Sequence, residues 1–354
     1  MKNSLSLESA ATLAQEIKDF AYSLGFQQMG VTDTDLAEHI ERYQKWLDAD
    51  YHGELGYMAK HGSKRWQADE LIEGTLRVLS FRMDYFSDPG SPLEQLKHTE
   101  KAYISRYTLG RDYHKLIRSR LKKLIHFIKT RAENYQFRAF VDSAPILERA
   151  FAQKSGLGWF GKNTMLINRG AGSWFFLGEI FTDLPLPLDE PYTKEHCGKC
   201  TACLDICPTQ AFKGPYILDA RKCISYLTIE LKGSIPVELR SKIGNRIFGC
   251  DDCQLVCPWN RFSKPTQEPD FQPRHQLDNQ ALVDLFNWDE ATFLTRTEGS
   301  AIRRAGYESW LRNIAIALGN APSTPPIIAA LKNRLDYPSD IVKEHIVWAL
   351  NQHP

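Results

Sequence analysis

The sequence predicts a protein of three parts: an α/β (α+β) domain over residues 1–185, a small cysteine-built module over 186–265, and an all-α, HEAT-like domain over 266–354. Three observations predict it. Between residues 77 and 185, short strand-like apolar runs alternate with helical periodicity; all eight cysteines fall between Cys197 and Cys257; and the chain beyond SKPTQEPDFQPRH reads as helix throughout. A length of 354 residues also exceeds one ordinary core, so a division is expected.

Taken in order, the first element is an amphipathic helix, because Leu13, Ile17, Phe20 and Leu24 recur at steps of three and four. Ser6 and Glu8 suit its start and Gly25 its stop. RVLSFRMDYF reads as a strand. DYHKLIRSRLKKLIHFIKTRAE reads as a long helix with Ile117, Leu121, Leu124, Ile125 and Ile128 on one side. FRAFVD, TMLINRG and SWFFLGEIFTDL are short apolar or β-branched runs bounded by Gly, Asn or Asp, as strands are. The proline-rich, acidic LPLPLDEPY marks a boundary near residue 186, and SKPTQEPDFQPRH marks another before a helix beginning near Asn279. In the last part Ile314, Ala317 and Leu318 are echoed by Ile346, Ala349 and Leu350, a period that suits paired helices of a HEAT-like array, although two amphipathic helices can match by chance.

Composition is that of a folded globular protein, with 43% hydrophobic and 25% charged residues, which excludes disorder and fibre. The net charge of +1 leaves any attraction to nucleic acid or membrane to a local patch. Glu8, Glu16 and Lys18 interrupt the N-terminal apolar residues, and no segment is apolar for about 18 residues, which argues against export and membrane spanning and for a cytoplasmic protein. In that reducing compartment, disulfides are a poor explanation of the cysteines.

The first cysteine set reads Cys197, Cys200, Cys203, Cys207, Pro208, that is C-x2-C-x2-C-x3-C-P; the second is Cys223, then Cys250, Cys253, Cys257, Pro258. Three thiolates in one tight loop can cap three irons of a cubane, and the cysteine before proline reaches the other cluster in two-cluster ferredoxins. The exchange assigns Cys197, Cys200, Cys203 and Cys257 to one 4Fe-4S cluster and Cys207, Cys223, Cys250 and Cys253 to a second, in a bacterial-ferredoxin-like arrangement. Structural zinc, the bland alternative, usually takes two separated C-x-x-C pairs. A mere electron carrier has no need of long flanking domains, so something else receives the electrons.

A basic stretch is also legible. From Lys101 to Arg131 Asp112 is the only acid, and Tyr103, Tyr107, Tyr113 and His114 are interleaved with the basic residues. Cations can neutralise phosphate while aromatic faces stack on an extruded base. Arg111, Tyr113 and His114 are the leading candidates, and Arg303, Arg304 and Arg312 could extend the track; a solvated helix face is the plainer reading of Lys122 and Lys123.

The strings GRDYHK, FVDSAPILER, GWFGKN, CISYLTIE and GCDDCQLVCPWNR, in this order and over nearly the whole chain, resemble the epoxyqueuosine reductase family. The resemblance implies a cobalamin-dependent oxidoreductase, related in its core to reductive dehalogenases, that removes the epoxide oxygen of epoxyqueuosine at the wobble position of tRNA, the last step of queuosine biosynthesis. It implies a cobalt nucleophile fed single electrons by the two clusters, tRNA engaged at its anticodon region, and a low-potential electron donor that is not identified. Nothing in composition or spacing points to cobalamin.

Expelling an alkoxide from an epoxide requires a proton, so a positioned carboxylic acid is expected as general acid. Asp142, at the end of FRAFV, is the candidate, expected in an apolar setting that keeps it protonated; a helix-cap aspartate before SAPILER is the plainer reading. For the cofactor, the resemblance suggests Arg65, with Leu166 and Leu177 on bordering strands, Cys250, Asp251 and Asp252 on the nearer cluster loop, and Ser225 and Tyr226. Plain core for the leucines and solvated surface for Arg65 and the two aspartates are the competing readings. Two other functions remain open: a reductive dehalogenase of a small organohalide, which generally carries a twin-arginine signal not found in this sequence, and a non-catalytic iron-sulfur carrier.

Overall fold

The structure of the protein, a computed structural model, describes residues 6–87 and 92–353. Helix α1 (Leu7–Ser23) begins where the Ser6 hydroxyl accepts the Ser9 N–H and buries Leu13, Ala14, Ile17 and Ala21 on one face. It ends ahead of Gly25, whose φ of +87° turns the chain. Strand β1 (Gln28–Thr32) follows, an element absent from the sequence reading because nearly all of its five residues are buried and no alternation marks it. Then come β2 (Arg77–Asp84), α2 (Tyr113–Lys129), β3 (Phe137–Phe140), α3 (Glu148–Lys154) and β4 (Phe175–Thr182).

These strands form one sheet in the order β1-β2-β4-β3, with every neighbouring pair antiparallel, so the first part is α+β. Side chains alternate across a strand, and the sheet has two different faces. Leu79, Phe81, Met83 and Ile180 meet the apolar sides of α1 and α2, where Ile117, Leu121, Leu124 and Ile128 are wholly buried. Gly178 lets α2 come close, since a Cβ there would lie 2.8 Å from a methyl of Ile117. Val78 and Phe181 point to the other face and pack with Phe140, Ala150 and Phe151 of α3. In the same register Ser80 lies opposite Glu179, and Glu179 opposite Phe140. This second face carries the site.

The cysteine loops contain only short helices, Ala202–Asp205 and Asp252–Leu255, which pack on each other. They are stitched to the first part by strand Arg246–Phe248, paired parallel with Tyr103–Ile104. Helices α4 (Tyr307–Gly319), α5 (Pro325–Lys332) and α6 (Asp340–Leu350) build the end of the chain. The echoed residues Ile314, Ala317 and Leu318 of α4 and Ile346 and Ala349 of α6 are wholly buried in one core. That core also takes in Ile104, Leu109 and Phe248, so it continues into the other two parts. Among the described residues no helix is long and apolar enough to cross a membrane.

Candidate active site and cluster loops

On the α3 face of the sheet, Phe175 and Leu177 of β4 form one wall of a cleft whose other lining residues include Met165, Leu166, Ser173, Tyr113, Phe176, Asp142, Glu148 and Arg149. Strand alternation puts Phe175 and Leu177 on the same side as Glu179. Leu166 arrives on the strand Leu166–Ile167, paired antiparallel with Trp159–Phe160. Tyr113 and His114 are the first residues of α2, whose N-terminus is capped by the Asp112 carboxylate accepting the His114 N–H. Asp142 follows β3 with a φ of +41°, a left-handed conformation that turns its side chain to the cleft mouth.

Five side chains interlock there. Tyr113 Oη donates to Asp142 Oδ2 at 2.7 Å, and His114 Nε2 lies 3.0 Å from the same oxygen. His114 Nδ1 lies 2.8 Å from Asp112 Oδ1, and Arg304 Nη2 donates to Asp112 Oδ2 at 2.8 Å, tying the C-terminal part to the cleft. Burial works to lower the His114 pKa, but Asp112 and Asp142 together raise it, so the ring can donate from both nitrogens. For Asp142 burial is the largest single influence and favours the neutral acid. The hydrogen bonds from His114 and Tyr113, with the charges of His114 and Arg304, outweigh it and hold its pKa below the usual value. The expectation of an apolar pocket keeping Asp142 protonated is therefore corrected: the loop places it among donors, half exposed.

Two further acids, both with raised pKa values, escaped the sequence reading. Glu148, at the start of α3, is raised to about 8, by burial and then by the charge of Asp142. Glu179, completely buried in β4, is raised well above the usual value by burial, then by Glu148 and Asp142. One signal could have exposed Glu179: it is the lone acid inside the apolar run SWFFLGEIF.

The other expected site residues divide. Leu166 and Leu177 line the cleft. Arg65 is buried, donates to the Tyr57 carbonyl, and accepts at its own carbonyl the N–H of Leu147, the residue before α3; its Nε has no partner. Ser225 and Tyr226 sit on the short helix Ile224–Ile229 that follows Cys223: Ser225 Oγ lies 3.5 Å from the Cys250 carbonyl, and the Tyr226 hydroxyl accepts the Glu54 N–H at 2.9 Å. Asp251 and Asp252 need correction as side-chain ligands. Asp251 accepts from Tyr103 Oη, Ser105 Oγ and the Arg106 N–H, and Asp252 forms a two-pronged pair with Arg246, so both carboxylates are saturated by the protein. Arg312 is corrected outright. It is wholly buried in α4, donating to the carbonyls of Leu227, Leu231 and Gly233, and cannot meet a phosphate. Arg303 and Arg304 are exposed, as is Arg111, which pairs with Asp270 at 3.1 Å. Tyr113 and His114 are mostly buried and face Asp142, not a free surface.

The cysteines gather as two sets. Burial, then the adjacent Cys197, Cys257 and Cys200, raise the Cys203 thiol to about 11, whereas Cys223 has Cys207 beside it and Cys250 has Cys223. Cys253 feels Cys223 first among its neighbours, then Cys203, Asp251 and Cys207. The Ala211 N–H donates to Cys207 Sγ at 3.3 Å, and the nearby backbone of Ser225 and Tyr226 works to lower the Cys223 thiol, as that of Trp259 and Asn260 does for Cys257, against burial that raises both. Such donors stabilise thiolate and cluster charge. Cys200 is the one exposed cysteine, while the Cys253 loop adjoins the cleft: the Cys253 carbonyl accepts from Asn163, and Gln254 Nε2 donates to the carbonyl and hydroxyl of cleft-lining Ser173, each at 3.1 Å.

Comparison with known proteins agrees with this geometry. Residues 196–260 match the 4Fe-4S double cluster binding domain, and residues 65–143 match the model described as epoxyqueuosine reductase QueG, DUF1730. The epoxyqueuosine reductase of Pseudomonas aeruginosa is 61% identical over 353 residues, covering 100% of this chain and 98% of the relative. A crystal structure of an epoxyqueuosine reductase with a tRNA-Tyr epoxyqueuosine-modified stem loop is similar at a TM-score of 0.87 and 28% identity, covering 97% of this chain and 90% of that one. A Bacillus subtilis epoxyqueuosine reductase, described with its aspartate-bearing catalytic loop swung out of the active site, is similar at 0.86 and 28%, covering 97% and 91%. The chain therefore holds a two-cluster 4Fe-4S module within an oxidoreductase, and it belongs to the epoxyqueuosine reductase family.

Proposed function

We propose that this chain reduces epoxyqueuosine to queuosine in tRNA, with cobalamin in the cleft beside Asp142 and two 4Fe-4S clusters in series behind it. The reaction takes two electrons and two protons, turns the epoxide into an alkene and releases water. The observation that carries the reading is the meeting, in one cleft, of apolar walls, a carboxyl network at the mouth and the Cys253 loop.

The residues present fit a flat macrocycle with amide arms. Met165, Leu166, Phe175 and Leu177 offer apolar walls, Ser173 and Arg149 a polar rim, and Arg65 a buried Nε without a partner. When bound, cobalamin supplies a metal centre able to engage the epoxide carbon and accept electrons singly.

The chain does the rest. Cys200 at the surface and Cys253 by the cleft give the clusters an order, from an unidentified low-potential donor inward. Asp142, anchored through Oδ2 by Tyr113 and His114, is the carboxyl from which a proton passes to the epoxide oxygen. Arg111, Arg303 and Arg304 on the mouth side supply cations for the anticodon-region phosphates. A relative solved with an epoxyqueuosine-modified tRNA stem loop supports tRNA as the partner. A tRNA substrate is consistent with activity in the cytoplasm, and we read the division 1–185, 186–265 and 266–354 as substrate and cobalamin, clusters, and a helical part that shares the tRNA grip with Arg111.

The test is anaerobic incubation of reconstituted protein, cobalamin and a low-potential reductant with epoxyqueuosine-containing tRNA, followed by mass analysis of nucleosides. Queuosine is expected. Asp142→Asn should keep cluster colour and cofactor while turnover falls by about 10²–10⁴; full turnover in that variant removes Asp142 from the mechanism. A family member of this identity does not favour the dehalogenase or carrier readings, which predict organohalide turnover and no cobalamin binding, respectively.

A further inference from the structure

Reducing an epoxide to an alkene consumes two protons, and a single aspartate carries one. Asp142 also sits among donors that favour its ionised form, so a source of protons must stand behind it. Resting on the function proposed above, we infer that Glu148 and Glu179 are the proton store of the cleft, Glu148 supplying the second proton to the departing oxygen and Glu179 holding the reserve behind it.

The geometry begins with Glu179. It has no exposed surface, and neither of its carboxyl oxygens has a hydrogen-bond partner. Its cross-strand neighbour on β2 is Ser80, whose buried Oγ also lacks a partner, and on β3 it faces Phe140. An ionised carboxylate in such a place has neither cation nor donor to offset its lost hydration, whereas a carboxylic acid is nearly neutral there. Glu148 from α3 comes next, lining the cleft with Asp142, its Oε2 buried and without a hydrogen-bond partner among the described residues. The charged and titratable groups around this pair are Asp142, Tyr113, His114, Arg149 on the neighbouring position of α3, and the two glutamates themselves. Arg149 donates to the Thr164 carbonyl, and among the described residues neither glutamate is found in an ion pair. Burial and mutual repulsion raise both, Glu148 to about 8.

The proton balance follows. Asp142 gives its proton to the oxygen of the opening epoxide and becomes a carboxylate. An O–H bond of Glu148, which lines the same cleft, then breaks as the second O–H bond of the departing oxygen forms, directly or through one water, and Glu179 restores Glu148. The second proton leaves with the same oxygen as water, and two electrons arrive through the clusters from the low-potential donor. Bulk solvent refills the store at the mouth, where His114 meets Asp142.

Glu148→Gln and Glu179→Gln, close in shape to the originals, test the inference on the cluster-loaded chain. Difference infrared spectroscopy between pH 6 and 9, without substrate or cobalamin, should show carbonyl bands of protonated carboxylic acids at pH 7 that each variant loses one at a time. In turnover with epoxyqueuosine-containing tRNA, wild-type kcat should fall as pH rises through about 8, the Glu148 value. Glu148→Gln should lower kcat at least tenfold at pH 6 with KM unchanged and abolish that limb. Glu179→Gln should leave the first turnover fast and slow those that follow, with an enlarged solvent deuterium isotope effect. Absence of both infrared bands at pH 7, or a wild-type pH profile and kcat in Glu148→Gln, overturns the inference. If wild type makes no queuosine, the functional reading fails while the infrared result still decides whether these glutamates hold protons.

Discussion

A carboxyl with no partner inside a sheet leaves a thermodynamic signature. Glu148, ordinarily 4.5, is raised to about 8 in the folded chain. Between those values the folded state binds a proton that the unfolded state has released, so stability falls as pH rises across the window and levels off above about 8. Glu179 is displaced in the same direction. Glu179→Gln should therefore raise the unfolding temperature at pH 8 by a few degrees and leave it nearly unchanged at pH 5, as scanning calorimetry would record. Asp112 has the opposite sign. With its pKa lowered to about 2 despite burial, by His114 above all and then Arg304, it contributes stability above its ordinary 3.8 that is lost as pH falls toward 2. Arginines separate just as sharply by surroundings. Arg312→Ala strands carbonyls of Leu227, Leu231 and Gly233 and should cost on the order of 3 kcal/mol in denaturant unfolding, leaving the salt dependence of tRNA binding alone. Arg303→Ala should do the reverse, lowering the slope of log affinity against log salt by about 1.

Among the elements, β1 shows how a short strand escapes notice and still matters. QMGVT is buried nearly throughout, so it lacks the alternation that betrays a half-exposed strand. Met29 and Val31 face α1, while Gly30 lies against the end of α3, where a Cβ would be 1.9 Å from the Ser155 carbonyl oxygen. Backbone cannot yield there as a flexible side chain can. Gly30→Ala should destabilise the chain by about 1–3 kcal/mol and displace α3, which carries Glu148, so urea titration should find a lowered midpoint together with weakened turnover. The long helix α2, by contrast, was fully legible, because its apolar spacing and its Asp112 cap are local signals.

Across the whole molecule the cluster loops set a direction, from exposed Cys200 to the Cys253 loop bonded to cleft-lining Ser173. Cys203→Ser and Cys253→Ser should each leave about four irons per chain, yet by different routes to inactivity. With Cys203→Ser, a small artificial reductant that reaches the cleft directly should restore part of the turnover. With Cys253→Ser it should not, because the cluster beside the cleft is the one removed; equal rescue of both would contradict the order. The helical end is part of the same machine, since Arg304 reaches Asp112 and the core of α4 and α6 includes Ile104 and Phe248.

By itself the sequence determined whatever is written in local spacing. Cysteines two or three residues apart bind metal clusters through loop geometry, periodic apolar residues place helices, and a family of motifs in order names the chemistry, so Cys197 to Cys257, Leu166, Leu177 and Asp142 were all identifiable. Tertiary structure alone decided charge and accessibility. Whether Asp142 is ionised depends on His114, Tyr113 and Arg304, gathered from distant positions; whether Arg312 meets solvent depends on a loop some eighty residues earlier. The pKa of Glu179 is raised because folding buries its carboxyl completely and brings Glu148 and Asp142 near it. Electrostatic energy is a function of distance and solvent exclusion, and neither quantity exists until the chain has folded.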